Sequence, residues 1–194
     1  MSASAEEQSD KRILNVPNQI TAARLVLAVF VFALISFQVY LPALALFIVA
    51  AATDWVDGFY ARRYGQVTKV GRVFDPFVDK FIICGAFIFL AVEPNSGIVA
   101  WMAVVVMSRE MLVTALRSFI EQSGGDFSAN MSGKLKMVFQ CVAVGASLVT
   151  LMYVQDNVPG WLKWTLLVSV WLAVLSTIQS GIGYVVAAAK FFRE

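Results

Sequence analysis

The stretch from Asp54 to Lys80, "DWVDGFYARRYGQVTKVGRVFDPFVDK", holds four aspartates: Asp54, Asp57, Asp75 and Asp79. Spacings of three and four put Asp54 with Asp57, and Asp75 with Asp79, on single helical faces. Two bare carboxylates about 4 Å apart repel by roughly 4 kcal/mol at an effective dielectric of 20. A converged tetrad therefore takes up protons or binds cations. The chain has no histidine, and neither Cys84 nor Cys141 lies in the stretch. Oxygen-only donors disfavour zinc and copper and favour magnesium, with manganese as the alternative. Two pairs on two helices suit two ions, a known clamp for displacement at phosphorus. Gly58, Ala61 and Gly71 stand beside the acids. Such small residues admit a bulky ligand close to the backbone, or else simply let membrane helices pack. Intramembrane acids also mark ion or proton pathways, so a divalent-cation transporter is the rival from another class.

The elements that carry these residues are apolar. Of the 194 residues 59% are hydrophobic and only 14% charged, and the mean hydropathy is +0.75. An ordinary soluble domain is about 25% charged. The chain reads as an all-α integral membrane protein. A net charge of +2 gives no pointer to nucleic acid. Residues 1–10 ("MSASAEEQSD") form a polar, disordered tail, and residues 11–194 form one membrane domain. Six apolar runs reach the roughly 20 residues needed to cross a bilayer: Thr21–Tyr40, Ala43–Arg62, Gly71–Val92, Gly97–Ile120, Ser132–Tyr153 and Trp161–Ala189. Turn chemistry ("EPNSG", "QSGGD", "DNVPG") separates several of them. Cys84 and Cys141 sit inside apolar runs and read as small hydrophobes.

Basic residues collect on the cytosolic side of a membrane. With both termini cytosolic, all of the 15 lysines and arginines except Lys163 fall at or near that side. The aspartates then lie at the cytosolic mouth of two antiparallel helices. Lys11 and Arg12, with the apolar Ile13, Leu14 and Val16, suit a topology anchor or a short interfacial helix over the entrance, the anchor being preferred.

Asp54-x-x-Asp57-Gly58-x-x-Ala61-Arg62, followed after eight residues by Gly71-x-x-x-Asp75-x-x-x-Asp79, resembles without a departure the signature of the CDP-alcohol phosphotransferase family. The resemblance implies a six-helix membrane enzyme, usually a homodimer, that replaces the CMP of a CDP-linked lipid with an alcohol. It implies Asp54, Asp57 and Asp75 as principal metal ligands. Asp79 would be both near the metals and the general base. Asp54, Gly58, Ala61, Arg62 and Gly71 would line the nucleotide and diphosphate site. The chemistry itself needs a base for the attacking hydroxyl and a cation for the phosphoryl oxygens, and no covalent nucleophile.

The acceptor is read from the second half of the chain. "SREMLVTALRSF" puts Glu110, Thr114 and Arg117 on one helical face with Arg109 beside it, and "SGKLKMVFQ" adds Lys134 and Lys136, with Gln140 on the face of Lys136. Arg109, Arg117, Lys134 and Lys136 together are more positive charge than a diphosphate needs once metals are bound, so an anionic acceptor is expected. The rival readings are topology determinants against lipid headgroups, and a structural ion pair of Glu110 with Arg109 or Arg117. "NVPNQITAAR", "SREMLVTALR" and "GKLKMVFQ" resemble segments of the branch of that family whose acceptor is sn-glycerol 3-phosphate. The resemblance implies CDP-diacylglycerol as donor, CMP as product, two magnesium ions and a bacterial inner membrane, with the site facing the cytosol. Inositol phosphate and serine are the alternative acceptors.

Overall fold

A computed structural model describes residues 16–64, 69–122, 131–153 and 157–191, with side chains described over 19–53, 77–120, 135–153 and 157–190. The expected tail over 1–10 and the anchor residues Lys11 to Leu14 lie outside the described residues. Among the described residues the elements are six helices and no strands: α1 (Val16–Ser36), α2 (Tyr40–Tyr64), α3 (Lys69–Val92), α4 (Ala100–Gln122), α5 (Met131–Leu151) and α6 (Gly160–Phe191).

The helix ends follow local chemistry more closely than the apolar runs do. α1 begins at Val16 rather than Thr21, because Pro17 fits the first turn, where its missing N–H is not required. It ends at Ser36 rather than Tyr40. Gln38 adopts a left-handed backbone (φ 59°). The Gln38 N–H donates to the Ile35 carbonyl at 2.8 Å and the Val39 N–H to the Leu34 carbonyl at 2.9 Å. That pair of bonds is a Schellman cap, here with glutamine where glycine is usual. α2 starts at once, with Pro42 in its first turn.

At the other end of α3, Asn95 and Gly97 are both left-handed (φ 67° and 74°). They make the turn that delays α4 to Ala100 instead of Gly97. Ser96 is buried in this turn. Its hydroxyl donates to the Ile98 carbonyl and accepts from the Ile98 N–H, while its carbonyl accepts from the Ser147 hydroxyl at 2.7 Å. A Cβ on Gly97 would lie 2.8 Å from a Leu166 methyl, so glycine is needed for space as well as for φ.

The chain divides into two compact units, Met1–Gly85 and Ala86–Glu194. In the first, α1 packs on α2. α1 also meets α3 through Phe32, whose ring lies 5.5 Å from that of Phe81 and occupies the space a Cβ on Gly85 would take. In the second, α6 packs against both α4 and α5.

Each unit turns large apolar side chains outward as well as inward, and buries selected polar ones within its apolar core. Val26, Val29 and Phe30 of α1 are more than half exposed, whereas Thr21 and Arg24 of the same helix are 1% exposed. On α6, Trp161, Trp164 and Ile182 are exposed, while Ser169, Thr177, Ser180 and Tyr184 are buried. Water would not tolerate apolar outer faces this extensive; hydrocarbon does. Two helical stretches, Gln19–Ser36 and Gly160–Lys190, are long and apolar enough to span a bilayer. At 32 residues α6 extends about 48 Å, more than the ~30 Å hydrocarbon core. Lys190 in its last turn is placed to reach an interface.

Candidate active site

The aspartate motif lies within the first unit and flanks the connection between α2 and α3. Asp54 and Asp57 with Gly58, Ala61 and Arg62 belong to the last part of α2, and Gly71, Asp75 and Asp79 to the first part of α3. Only four residues separate the two helices, which limits the distance from Tyr64 to Lys69 to about 18 Å. Counted from those ends at 1.5 Å per residue, Asp57 and Asp75 stand about 10 Å along their helices, and Asp54 and Asp79 about 15 Å. The pairs are thus matched in level along their helices. The side chains of Asp54, Asp57, Ala61, Arg62 and Asp75 lie outside the described residues, as do the surroundings of Gly58 and Gly71.

Asp79 is the described member of the set. Its Oδ1 accepts from Arg24 Nη1 at 2.7 Å. The Asp79 side chain keeps 26% of its surface exposed, while that of Arg24 keeps 1%. A buried arginine inside an otherwise apolar helix requires a counter-charge, and Asp79 supplies one. The contact fixes the carboxylate's rotamer from the side of α1. Sequence reasoning gave Arg24 only a topological role. The signal available was an arginine flanked by apolar residues on both sides of its helix.

The residue types fit a hard divalent cation: four aspartates at matched positions along two helices joined by four residues, with no histidine or cysteine between Asp54 and Asp79.

The second unit holds the basic cluster. Arg109 (8% exposed), Glu110 (6%) and Lys136 (5%) are all buried. Arg109 Nη1 donates to both carboxylate oxygens of Glu110, at 3.2 and 3.3 Å, and Lys136 Nζ donates to Glu110 Oε1. Lys136 therefore does not lie against lipid headgroups; it is half of a buried ion pair. The expected pairing of Glu110 with an arginine is present, and the arginine is Arg109. Arg109 Nη2 donates to the Ser180 hydroxyl at 2.5 Å, and its guanidinium sits 5.3 Å from the centre of the Tyr184 ring. Arg117 Nη2 reaches the Tyr184 hydroxyl at 3.5 Å. Gln140 donates to Thr177 at 2.9 Å, and the Thr114 hydroxyl turns back to the Glu110 carbonyl. Lys134 is placed in the first turn of α5, its side chain outside the described residues.

Two cations, Arg109 and Lys136, thus share one carboxylate, and Arg117 joins the cluster through Tyr184. The Nε–H groups of Arg109 and Arg117 are buried and have no hydrogen-bond partner among the described residues. Buried donors without acceptors are costly, and an anion would satisfy them. Ser180 and Tyr184, which sequence reasoning missed, hold this cluster from α6.

The sequence model of the CDP-alcohol phosphatidyltransferase family matches residues 14–179. The chain belongs to that family. Curated relatives with the name CDP-diacylglycerol–glycerol-3-phosphate 3-phosphatidyltransferase include a Bacillus subtilis protein, 35% identical over 89% of this chain and 94% of its own length. A Sodalis glossinidius protein of that name is 32% identical over 90% of this chain and 95% of its own, and an Escherichia coli K12 protein 33% identical over 90% and 94%. The family match contains the whole aspartate signature, Arg24 and the Arg109–Glu110–Lys136 cluster, and it stops one residue short of Ser180.

Proposed function

We propose that this CDP-alcohol phosphatidyltransferase transfers the phosphatidyl group of CDP-diacylglycerol to sn-glycerol 3-phosphate, releasing CMP and forming phosphatidylglycerophosphate for phospholipid synthesis. The relatives' shared name supports this reading across about nine-tenths of the chain. The structural observation that carries it is the excess of positive charge in this cluster among the described residues: buried Arg109 and Lys136 and half-buried Arg117 against one carboxylate, Glu110. An uncharged acceptor such as glycerol would leave that excess unneutralised, and serine would bring its own ammonium into it; a phosphate neutralises it.

Asp79, held by Arg24, is the general base that accepts the proton of the acceptor's 1-hydroxyl. The hydroxyl oxygen bonds to the lipid-side phosphorus, the phosphorus–oxygen bond to CMP breaks, and CMP carries away the electron pair. Arg109, Arg117, Lys134 and Lys136 bind the acceptor's phosphate. Asp54, Gly58, Ala61, Arg62 and Gly71 hold the cytidine diphosphate group. Asp54, Asp57, Asp75 and Asp79 would hold two divalent ions, magnesium with manganese as the alternative, which when bound neutralise the diphosphate oxygens.

The membrane location follows from the apolar outer faces. All six helices cross the bilayer in residues 11–194, residues 1–10 are a cytosolic tail, and both termini and the aspartates face the cytosol. The membrane is a bacterial inner membrane, and the working form is a homodimer. The test supplies purified protein with CDP-diacylglycerol and magnesium, and glycerol 3-phosphate, inositol phosphate, serine or glycerol in turn. CMP release is expected with glycerol 3-phosphate. Release with another alcohol in its place would overturn the acceptor assignment. Cation flux into sealed vesicles without CMP from any acceptor would overturn the enzyme.

A further inference from the structure

Arg109 and Arg117 stand eight residues apart on α4, about 12 Å along its axis, so no local contact can orient both. A single side chain of α6 reaches both. Tyr184 is 6% exposed; its ring lies against the Arg109 guanidinium at 5.3 Å, and its hydroxyl lies 3.5 Å from Arg117 Nη2. One turn earlier Ser180 accepts from Arg109 Nη2 at 2.5 Å. Between them a Cβ on Gly181 would come within 3.2 Å of Arg109 Cγ, so the bare backbone there gives the arginine stem its room. The stretch lies just past residue 179, where the family match ends.

We infer that Tyr184, assisted by Ser180, is a positioning and specificity-determining residue that presents Arg109 and Arg117 to a phosphate-bearing acceptor. The inference rests on the proposed acceptor site and names what aims it. With its guanidinium over the Tyr184 ring, Nη1 on Glu110 and Nη2 on Ser180, Arg109 is held on three sides. Its Nε–H, like that of Arg117, has no partner among the described residues and can serve a ligand. Planar, bidentate recognition of a phosphate depends on a guanidinium held in this way. Glu110 balances charge and contacts Arg109 and Lys136, whereas Tyr184 contacts both arginines.

The test measures steady-state CMP release for Tyr184→Leu, Tyr184→Phe and Ser180→Ala, varying glycerol 3-phosphate and CDP-diacylglycerol separately. Tyr184→Leu is expected to raise KM for glycerol 3-phosphate about tenfold, as expected for loss of a desolvated cation–aromatic contact, with kcat and KM for CDP-diacylglycerol held. Tyr184→Phe keeps the ring and loses only the hydroxyl contact, so about threefold is expected. The preference for glycerol 3-phosphate over glycerol falls by the same factors. A merely structural role would move both KM values and kcat together, which would overturn the inference. Should Tyr184→Leu fail to fold, Tyr184→Phe and Ser180→Ala carry the measurement, and unchanged KM for glycerol 3-phosphate in both overturns it. Arg117→Ala separates the two levels. If it raises that KM while the Tyr184 and Ser180 variants do not, only this inference falls; if it does not, the acceptor site falls and takes this inference with it.

Discussion

Replacing Glu110 by glutamine removes the single carboxylate between two buried cations. Its oxygens receive Arg109 at 3.2 and 3.3 Å and Lys136 as well, all three side chains being less than one-tenth exposed. Removing one partner from a buried ion pair costs about 3–5 kcal/mol, because the remaining charge stays out of water. Glutamine keeps one carbonyl oxygen as an acceptor, so the low end, about 3 kcal/mol, is expected. At roughly 2–4 °C per kcal/mol for a chain of this size, the midpoint of thermal unfolding in detergent should fall by about 6–12 °C, read from the helical circular dichroism. Glycerol 3-phosphate should recover part of the loss. A ligand at a hundred times its dissociation constant stabilises by about 2.7 kcal/mol, and its phosphate meets an additional uncompensated positive charge in the variant. Binding of inorganic phosphate should strengthen in the same direction. A fall below about 1 kcal/mol, the range of exposed pairs, would refute the buried triad. A full fall that glycerol 3-phosphate leaves untouched would refute the cluster as a phosphate site.

Three further outcomes are expected. Asp79→Asn should abolish CMP release while CDP-diacylglycerol binding, followed by equilibrium retention on lipid micelles, stays near that of the unaltered protein; equal loss of binding would make Asp79 mainly a ligand. Arg24→Ala should lower kcat by roughly ten- to a hundredfold by releasing the Asp79 carboxylate, with Arg24→Lys recovering part of it in the same assay. Gly97→Ala should cost about 1–3 kcal/mol in unfolding experiments, since it adds a Cβ against Leu166 at a backbone with φ of 74°.

The sequence makes the helices and the aspartate signature legible because both are local. Apolar runs of about 20 residues favour helices, and acids three and four apart share a helical face whatever the tertiary structure. Helix ends were less legible. The cap at Gln38 places glutamine in a conformation usually taken by glycine, so nothing in the composition of the Thr21–Tyr40 run marks the stop at Ser36. The basic cluster was legible as a set on α4 and α5, and Lys136 proved to be buried against Glu110 instead of facing headgroups. What could not be read were partners brought together by packing: Arg24 with Asp79, and Arg109 and Arg117 with Ser180 and Tyr184. Those pairs lie 55 to 75 residues apart in the chain, where residue spacing carries no geometric information.

The most direct measurement supplies the purified protein in micelles with CDP-diacylglycerol, magnesium and carbon-labelled glycerol 3-phosphate, then counts label in the extracted lipid against CMP released. One labelled lipid for each CMP, lost on chelating the divalent metal and restored by adding it back, is the result this account predicts. CMP without labelled lipid, or labelled lipid formed equally well after chelation, would contradict it.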